Sequence, residues 1–508
     1  MTERIVMLPM SDGTKLYTRI LLPAAEGTFP IVFQRTPYGE KHKSWSPEEC
    51  APYLRRGYAL VQQHVRGSGR SEGERMHTYR ERQDGLDTLE LLRAMDFYNG
   101  EIYVTGESYG ATVHLCYLAT RPVDVKAAAL GIQQDHMYTF RYRNGCCREW
   151  CSLQWNLGRL KRRYPEQKRW TEVLQRPYEQ VMTRAVGEEI PDFNAMLLHD
   201  TYDAYWQSQE NDRVMEQLHI PVLLTDGWFD FYIGGTFDMW RRLPDETRQR
   251  SAFAVGPWGH STRLESCDYP LENPNLPAEL VPAFFDHVRL GTESPLPLGE
   301  VTWHNVTGGA WQTGLPEKTQ ERRLYFGADG ALTDAPGRPG ERSYDYDPDR
   351  PLNFYEHYNM VRRPTETPEG VLTFLSAPAA EDTAFCGPVR WRMNVKTDCG
   401  DTAFYLRLYL EDETGASWNL TDTITSLTYQ NPDYRAGEVC AVTAETYPMG
   451  FVWKKGCRLR VDISSHSDLY APHANVRGHW AKVTESRVAR NTVLLDGDAC
   501  ITLPVAAD

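Results

Sequence analysis

The chain has 508 residues, of which 55 are basic and 69 acidic, so its formal net charge is −14. At roughly 150 residues per domain, this length predicts about three domains, or two domains with an insertion. The acidic balance argues against a nucleic-acid-binding surface, and the aromatic share of 12% excludes a disordered chain. We therefore expect a folded protein with enough aromatic side chains to line an apolar pocket.

The sequence predicts no membrane span, because no window holds the roughly 18 consecutive apolar residues that a bilayer requires. Its first residues, MTERIVMLPMSDG, carry charges where a secretory signal would be apolar. The 11 cysteines are scattered and odd in number, which favours free thiols in a reducing compartment. We therefore expect a cytoplasmic protein, and the sequence leaves open whether it forms a homo-oligomer.

One cysteine cluster, formed by Cys146, Cys147 and Cys151, raises the question of a metal site. A structural zinc site would need a second CxxC or a His pair to complete its tetrahedron, and the cluster lacks both. Buried structural thiols are the favoured interpretation. We expect the protein to need neither a metal nor an organic cofactor.

Short apolar runs alternate with amphipathic stretches in the first third of the chain, which is typical of a parallel sheet with crossover helices. The predicted strands are residues 29–33 (FPIVF), 58–62 (YALVQ) and 102–105 (IYVT), and a helix is predicted over 81–94. The last of these strands runs directly into GESYGATVHLCYLA, whose later part has a helical pattern. A strand, a tight turn and a helix therefore follow one another at this point.

From about residue 133 to 218 the pattern becomes helical, aromatic and rich in Arg and Glu. Strand signals return at 219–226 (HIPVLLTD) and 251–255 (SAFAV), and an amphipathic helix follows them. We therefore predict one α/β domain, formed by residues 1–132 and 219–295, with residues 133–218 inserted as a helical cap.

Beyond Leu296 the chain changes to short alternating runs, such as TAFYLRLYLED and CRLRVDISS, separated by Gly, Asp, Asn and Pro. This pattern predicts an antiparallel β-sandwich or jelly roll over residues 296–508. The sequence contains no long linker between the two parts. We therefore expect the β domain to pack against the α/β domain.

Residues 106–110, GESYG, match the GxSxG pattern in the strand-to-helix context that gives the pattern its meaning. Ser108 would occupy a strained turn, and the flanking glycines would let the helix approach closely. A serine hydroxyl is a weak nucleophile, so a histidine must take its proton and a carboxylate must orient that histidine. The motif therefore predicts a serine nucleophile with two partners further along the chain.

Asp230 and His260 are the predicted partners, because each follows a strand at the edge where open α/β sheets build their sites. They also give the chain order Ser, acid, His that accompanies such a turn. Asp226, at the end of the same strand as Asp230, is an alternative acid. His64 and His219 compete poorly as the base, because His64 belongs to another loop and His219 precedes its strand.

Acyl transfer also needs hydrogen-bond donors aimed at the oxygen on which negative charge develops. The backbone N–H of Tyr109, the residue after the nucleophile, is the first predicted donor. The loop after the strand at 29–33 reads QRTPYGE and has no glycine run, but it offers the phenol of Tyr38. Packing of Tyr38 on Pro37 is the alternative interpretation.

The motifs RTPYG, VRGSGRSEGE, GESYGA, GWFD and GPWGH, followed by a β-rich part, resemble the cocaine esterase and X-prolyl dipeptidyl peptidase family of serine hydrolases, which includes α-amino acid ester hydrolases. The resemblance covers nearly the whole chain. It implies an α/β-hydrolase fold with a helical cap and a jelly-roll domain. The site roles that it implies are nucleophile Ser108, acid Asp230, base His260, and an oxyanion hole of Tyr38 and the Tyr109 amide.

The chain departs from the family pattern at Ala111, where the elbow commonly has glycine, and at His64, where an aspartate often stands. A small residue is kept at the first position and Arg66 is retained beside the second, so we expect little effect. Glu107 is interpreted as a surface charge. Its alternative role is to attract a cationic substrate.

Aromatic residues near the predicted acid and base are candidates for the acyl pocket, namely Trp228, Phe231, Tyr232 and Trp258. Recognition of a substrate amine, as in the peptidase and amino-ester branches, would need carboxylates. The cap offers a charged run for this purpose, which could equally be a solvated face: Glu188, Glu189 and Asp192. The acyl and leaving groups are not fixed by the sequence.

The leading hypothesis is a serine esterase or amidase that cleaves a small acyl ester through an acyl-enzyme. The alternatives among hydrolases are an X-Pro dipeptidyl aminopeptidase, for which the chain is short, and an α-amino acid ester hydrolase. The alternative from another class is a carbohydrate-binding or scaffold protein built on the jelly roll. The expected partner is a small ester, amide or short peptide substrate, with no nucleic acid and no membrane.

Overall fold

The structure is a computed structural model that describes residues 2–75, 80–209, 214–264, 269–316, 319–351 and 367–506. Two large sheets organise these described residues, one in each half of the chain. None of the helices in the described ranges has the length and apolar character needed to cross a membrane.

The first sheet is mainly parallel. In the described part of the chain the first strands are β1 (Thr2–Pro9), β2 (Lys15–Leu22), β3 (Phe29–Thr36), β4 (Ala59–His64), β5 (Tyr98–Glu107), β6 (Val125–Gly131), β7 (Tyr142–Arg143), β8 (Cys146–Cys147), β9 (Val222–Gly227), β10 (Ala252–Gly256), β11 (Val301–Asn305) and β12 (Ala310–Thr313). All but β7 and β8 join this sheet, in the order β1-β2-β4-β3-β5-β6-β9-β10-β11-β12. Neighbours from β4 to β11 pair in parallel, whereas β1, β2 and β12 pair antiparallel at the edges.

Helices cover both faces of this sheet. The helices of the described residues are α1 (Pro47–Arg55), α2 (Glu81–Arg93), α3 (Tyr109–Leu118), α4 (Met137–Arg141), α5 (Trp155–Leu160), α6 (Trp170–Val173), α7 (Val181–Val186), α8 (Pro191–Leu198), α9 (Ala204–Gln209), α10 (Val214–Gln217), α11 (Ile233–Arg242), α12 (Asp245–Arg248), α13 (Leu280–Leu290) and α14 (Leu427–Gln430). Side chains of β3 alternate between the faces: Ile31 and Phe33 join the core under α2, α3 and α11, and Val32 joins the core under α1 and α13. Burial on both faces explains why these strands read as continuous apolar runs.

The insertion between β6 and β9 is formed by the short helices α4 to α10 and a hairpin of β7 and β8. The sequence predicted helices without strands here, and the hairpin is the difference. Its strands pair Tyr142 with Cys147 and Arg143 with Cys146. Strands of two residues are too short to produce an alternating pattern, so no hydrophobic periodicity marks them.

The second sheet forms a C-terminal β domain. In the described residues its strands are β13 (Thr319–Phe326), β14 (Ala331–Thr333), β15 (Gly340–Tyr346), β16 (Leu372–Ser376), β17 (Thr383–Gly387), β18 (Arg390–Thr397), β19 (Ala403–Glu411), β20 (Ser417–Ser426), β21 (Cys440–Glu445), β22 (Met449–Trp453), β23 (Arg458–Ser464), β24 (Ala489–Leu495) and β25 (Cys500–Ala506). Their pairing is antiparallel except between β14 and β16. The β domain contacts the cap directly, because the Glu149 N–H donates to the Leu469 carbonyl oxygen at 3.0 Å.

Strands β11 and β12 lie beyond the predicted boundary at residue 295, yet they belong to the first sheet. β11 pairs in parallel with β10, with Phe253 opposite Val301, and β12 closes the edge up to Thr313. The composition changes near residue 296, but membership of a sheet depends on hydrogen bonds between distant residues. The first sheet therefore extends further along the chain than the composition indicates.

Candidate active site

Ser108 lies at the sharp turn between β5 and α3. Its φ is +53°, in the left-handed region that residues other than glycine seldom adopt. A Cβ at Gly106 would lie 2.3 Å from the carbonyl oxygen of Gly110, and one at Gly110 would lie 3.2 Å from that of Arg35. The turn therefore leaves little room for side chains on either side of the serine, which explains the glycines of the motif.

His260 connects the serine to a buried carboxylate. Its Nε2 lies 2.9 Å from Ser108 Oγ, and its Nδ1 lies 2.8 Å from Asp230 Oδ2. The Asp230 side chain is fully buried, and its Oδ1 accepts a hydrogen bond from the Tyr232 N–H at 2.9 Å. In this arrangement the imidazole can take the hydroxyl proton while the carboxylate stabilises the resulting cation.

Neighbouring parallel strands bring Asp230 and His260 together. Asp230 lies three residues beyond β9 and His260 four beyond β10, and the two strands pair with Gly227 opposite Gly256. The loops that follow are joined by backbone hydrogen bonds, including one from the Phe229 N–H to the Trp258 carbonyl oxygen at 3.1 Å. The spacing between the acid and the base is therefore set by main-chain contacts.

Substitution of Gly227 by alanine is expected to disturb this junction. The new Cβ would lie 2.0 Å from the carbonyl oxygen of Trp258, a backbone atom that cannot move aside freely. We expect a loss of about 1–3 kcal/mol in the free energy of unfolding, as for other overpacked sites, measured by urea unfolding.

Gly158→Ala is the matched control, because its Cβ would meet no heavy atom within 4 Å. Gly158 lies in helix α5, where alanine should be neutral or stabilising by up to about 1 kcal/mol. Equal stability of Gly227→Ala and the unaltered protein would contradict the proposed close contact.

Asp226, the alternative acid, does not contact His260 in the described structure. Its carboxyl group accepts from the Gly227 N–H at 2.7 Å and bonds to the Thr236 hydroxyl. Burial, and then the nearby charge of Asp230, raise the pKa of Asp226 well above its usual value. Asp226 is therefore a buried neighbour of Asp230, and its described hydrogen bonds go to Gly227 and Thr236.

The alternative histidines also lie apart from Ser108. His64 is buried, and its ring stacks on that of Tyr17 at 5.0 Å and lies 4.7 Å from that of Trp45. Burial lowers the pKa of His64 to about 4, so the ring is neutral. His219 is exposed and precedes β9, at the opposite end of that strand from the site.

Tyr38 and the backbone of Tyr109 meet beside Ser108. The Tyr109 N–H donates to the Tyr38 hydroxyl oxygen at 3.3 Å. Burial of its hydroxyl end raises the pKa of Tyr38, although the residue is 39% exposed overall, so the phenol stays protonated. Its ring stacks on His42, with 5.0 Å between the ring centroids. Both groups can therefore donate to an oxygen placed next to Ser108.

A narrow pocket opens at Ser108 and His260. Of the predicted pocket residues, Phe231 and Tyr232 line it, and the Phe231 ring stacks on the imidazole at 5.0 Å. The sequence reasoning missed its other lining residues, which are Thr112, Gln133, Gln134, Met137, Phe140, Trp150 and Trp155. The aromatic density of the cap segment REWCSLQW was a signal for two of them, Trp150 and Trp155.

Trp228 and Trp258 do not line this pocket. Trp228 is 3% exposed, stacks on Phe237, and donates its indole N–H to the His304 carbonyl oxygen at 2.7 Å. Trp258 is fully buried, 5.9 Å from the ring of Trp311. Both tryptophans follow strands that lead to the site, but their side chains point into the core. The direction of these side chains cannot be predicted from their position in the sequence.

The acidic residues considered for substrate recognition are placed elsewhere. Glu107 forms an ion pair with Lys43 at 3.3 Å and accepts from the Thr262 hydroxyl at 2.8 Å. Burial opposes its ionisation, but these two contacts hold the pKa of Glu107 below its usual value. The cap carboxylates are exposed on the surface: Glu188, Glu189 and Asp192. The described lining of the pocket contains no carboxylate.

The cysteine cluster belongs to the apolar core of the cap. Cys146, Cys147 and Cys151 are buried, and burial raises the pKa of each thiol. Cys147 Sγ donates to the Ser152 hydroxyl oxygen at 3.2 Å. Across the described ranges, no group of three or more His, Cys, Asp and Glu side chains is arranged to hold a metal ion.

Two family models match the chain. Residues 12–262 match the X-Pro dipeptidyl-peptidase (S15 family) model, and residues 298–500 match the X-Pro dipeptidyl-peptidase C-terminal non-catalytic domain. The chain is 25% identical to cocaine esterase from Rhodococcus sp. (strain MB1 Bresler), over 94% of this chain and 93% of the relative.

Solved structures share the fold. An aminopeptidase from the marine sediment archaeon Thaumarchaeota archaeon superimposes with a TM-score of 0.88 at 21% identity, covering 100% of this chain and 96% of the other. An α-amino acid ester hydrolase superimposes with a TM-score of 0.85 at 22% identity, covering 99% and 96%. With an α/β core, a C-terminal β domain and both family models matched in order, the chain belongs to the CocE/NonD and X-Pro dipeptidyl-peptidase family of serine hydrolases.

Proposed function

We propose that this protein is a serine esterase that cleaves small esters with an uncharged acyl group, through an acyl-enzyme on Ser108. The observation that carries the proposal is the His260 imidazole, 2.9 Å from Ser108 Oγ and 2.8 Å from Asp230 Oδ2. Membership of a serine hydrolase family that contains cocaine esterase supports the same chemistry.

In the acylation step, Ser108 Oγ attacks the ester carbonyl carbon while its proton passes to His260 Nε2. Asp230 stabilises the imidazolium through Nδ1–H. The tetrahedral intermediate then expels the alcohol, which takes the proton from His260, and the acyl group stays on the serine oxygen. This step uses only the side chains named here and the ester, and it requires neither a metal nor an organic cofactor.

In the deacylation step, a water molecule takes the place of the alcohol. His260 removes one of its protons as the water oxygen attacks the acyl carbon, and the proton then returns to Ser108 Oγ as the acid leaves. In both tetrahedral intermediates the oxyanion accepts hydrogen bonds from the Tyr109 N–H and the Tyr38 hydroxyl. These donors are useful because the charge that they stabilise is largest in the transition state.

The lining of the pocket supports an uncharged acyl group. Its described walls are aromatic and apolar, with two glutamines, Gln133 and Gln134, as the main polar contribution. An aminopeptidase or amino-ester hydrolase needs a carboxylate near the substrate ammonium group, because a buried charge must be paired. The described walls offer none, so the esterase is favoured over the aminopeptidase and the α-amino acid ester hydrolase.

A labelling and substrate panel tests the proposal. A fluorophosphonate probe should label Ser108, and Ser108→Ala should abolish the labelling. Among p-nitrophenyl substrates, neutral acyl esters should have a kcat/KM at least about 10-fold above that of α-amino esters and Xaa-Pro anilides, which corresponds to about 1.4 kcal/mol in transition-state binding. Absence of labelling in folded protein would favour the binding-protein alternative, and a preference for Xaa-Pro anilides would favour the peptidase.

We also propose a jelly-roll topology for the β domain and a location in a reducing compartment. The antiparallel pairing of β13 with β25 and of β18 with β24 supports a jelly roll in the β domain. The ten described cysteines are free thiols, which supports a reducing compartment such as the cytoplasm.

A further inference from the structure

A second, small cavity lies behind the loop that carries Asp230. Its walls come from three parts of the chain: the acid loop, the cap hairpin and the β domain. The polar side chains of these walls are Arg143, Arg148, Asp230, Arg407, Asn419, Thr421, Asp422, Tyr447 and Tyr470. The cavity is therefore rich in guanidinium groups.

Arg148 is a fully buried cation in the wall of this cavity. It donates to the Thr139 carbonyl oxygen at 2.7 Å and to the Tyr447 hydroxyl, while its Nε has no hydrogen-bond partner. Among the described residues, no ion pair joins Arg148 to a carboxylate, although Asp230 and Asp422 line the same cavity. A buried charge is unfavourable unless an opposite charge lies close to it.

Arg143 adds a second cation without a carboxylate. Its guanidinium carbon lies 3.9 Å from the centroid of the Tyr447 ring, and it donates to the Glu445 carbonyl oxygen at 2.8 Å. By contrast, Arg407 forms an ion pair with Asp422 at 2.8 Å. The excess positive charge of the cavity therefore lies on the side formed by Arg143 and Arg148.

Tyr470 supplies a hydroxyl group without a partner. The residue is 1% exposed, it lines the cavity, and its hydroxyl makes no hydrogen bond. A backbone bridge joins it to Arg148, so this hydroxyl and the guanidinium group belong to the same wall. Two cations and an unpartnered O–H donor are the groups that an anion binds.

We propose that this cavity binds a small inorganic anion such as chloride, held by Arg143, Arg148 and the hydroxyl of Tyr470. The occupant's single negative charge offsets part of the charge of the two guanidinium groups, and the occupant accepts the hydrogen bonds of Arg148 Nε and of the phenol. The effect of the same charges is seen at Tyr447. Burial opposes ionisation of that phenol, yet Arg148 and Arg143 lower its pKa below the usual value.

The anion would stabilise the junction between the acid loop and the β domain. Asp230 and Phe231 form part of the cavity wall. The Tyr447 ring lies directly against helix α11, since a Cβ at Gly234 would lie 2.2 Å from it. An occupant between these elements therefore stabilises the folded protein by an amount that grows with the logarithm of its free concentration above the Kd.

Thermal unfolding tests the proposal when sodium chloride replaces sodium gluconate, a bulky anion, at constant ionic strength. The unfolding midpoint of the unaltered protein should rise by about 2–4 °C, following the logarithm of the chloride concentration once chloride exceeds its Kd. In Tyr470→Phe, which loses one hydroxyl, and in Arg143→Gln, the chloride concentration that gives the same rise should increase at least about 10-fold, or about 1.4 kcal/mol.

Arg163→Gln is the matched control, because Arg163 is an exposed cap residue that pairs with Glu74 at the surface. It should keep the chloride response of the unaltered protein. A midpoint that does not depend on chloride, or an equal response in Tyr470→Phe, Arg143→Gln and the control, would overturn the proposal. The proposal would also be overturned if the protein showed the near-ultraviolet absorbance of a phenolate at neutral pH and Tyr447→Phe lacked this absorbance. In that case Tyr447 itself would balance the charge.

Discussion

Replacement of Ser108 by alanine should lower kcat for a neutral p-nitrophenyl ester by about 10⁴- to 10⁶-fold. The hydroxyl forms the bond to the acyl carbon, and no other described nucleophile lies within hydrogen-bonding distance of His260 Nε2. The free energy of unfolding should change little, because alanine adopts the strained φ of this turn at a similar cost. Steady-state kinetics and urea unfolding of the purified variant measure the two effects.

Loss of His260 should have a similar effect on kcat, and the double variant Ser108→Ala, His260→Ala should be no slower than either single variant. The two groups act as one unit, so their effects on the barrier do not add. His219→Ala is the control, because this histidine is exposed and away from the site. Near-normal turnover in Ser108→Ala, or additive losses in the double variant, would refute the assignment.

Replacement of Tyr38 by phenylalanine should lower kcat by about 10²- to 10³-fold, the usual effect of removing one oxyanion donor. KM should stay within about threefold, since the phenol bonds an oxygen whose charge develops only in the transition state. The ring and its stacking on His42 are preserved, and the Tyr109 N–H remains as the second donor.

Tyr429→Phe is the control for this substitution, because Tyr429 is 54% exposed on the β domain. Its kinetic parameters should equal those of the unaltered protein. A normal kcat in Tyr38→Phe, or a change confined to KM, would mean that the phenol positions substrate or packs on its neighbours and does not stabilise the oxyanion.

Local patterns predicted the strands and helices of the first sheet well. The strand expected at 29–33 lies within Phe29–Thr36, and the helix expected at 81–94 is Glu81–Arg93. Parallel strands that are buried on both faces appear in the sequence as continuous apolar runs. Helix α2 appears as apolar residues spaced three and four apart. Both signals can therefore be read within a short stretch of sequence. The two family models confirm the family resemblance. The motifs that carry this resemblance can also be read from adjacent residues.

Contacts between distant residues were not predictable in this way. The edge hairpin of β1 and β2 and the attachment of β11 to β10 depend on pairing partners elsewhere in the chain. Likewise, Trp258 turns into the core while Trp155 of the cap lines the pocket. A side chain's surroundings depend on how whole elements pack, and the residues next to it in sequence do not encode that choice.

The sequence by itself determined the strained serine turn, because its glycines and its strand-to-helix context act within a few residues, and it predicted Asp230 and His260 as acid and base in that chain order. Only the tertiary structure decided that His260 lies between Ser108 and Asp230, which are 152 and 30 residues away from it along the chain. The tertiary structure also forms the uncharged pocket and the arginine-rich cavity. The walls of both combine segments from the cap with segments from outside it. Backbone preferences are local properties, whereas distances across a site come from the packing of the folded chain.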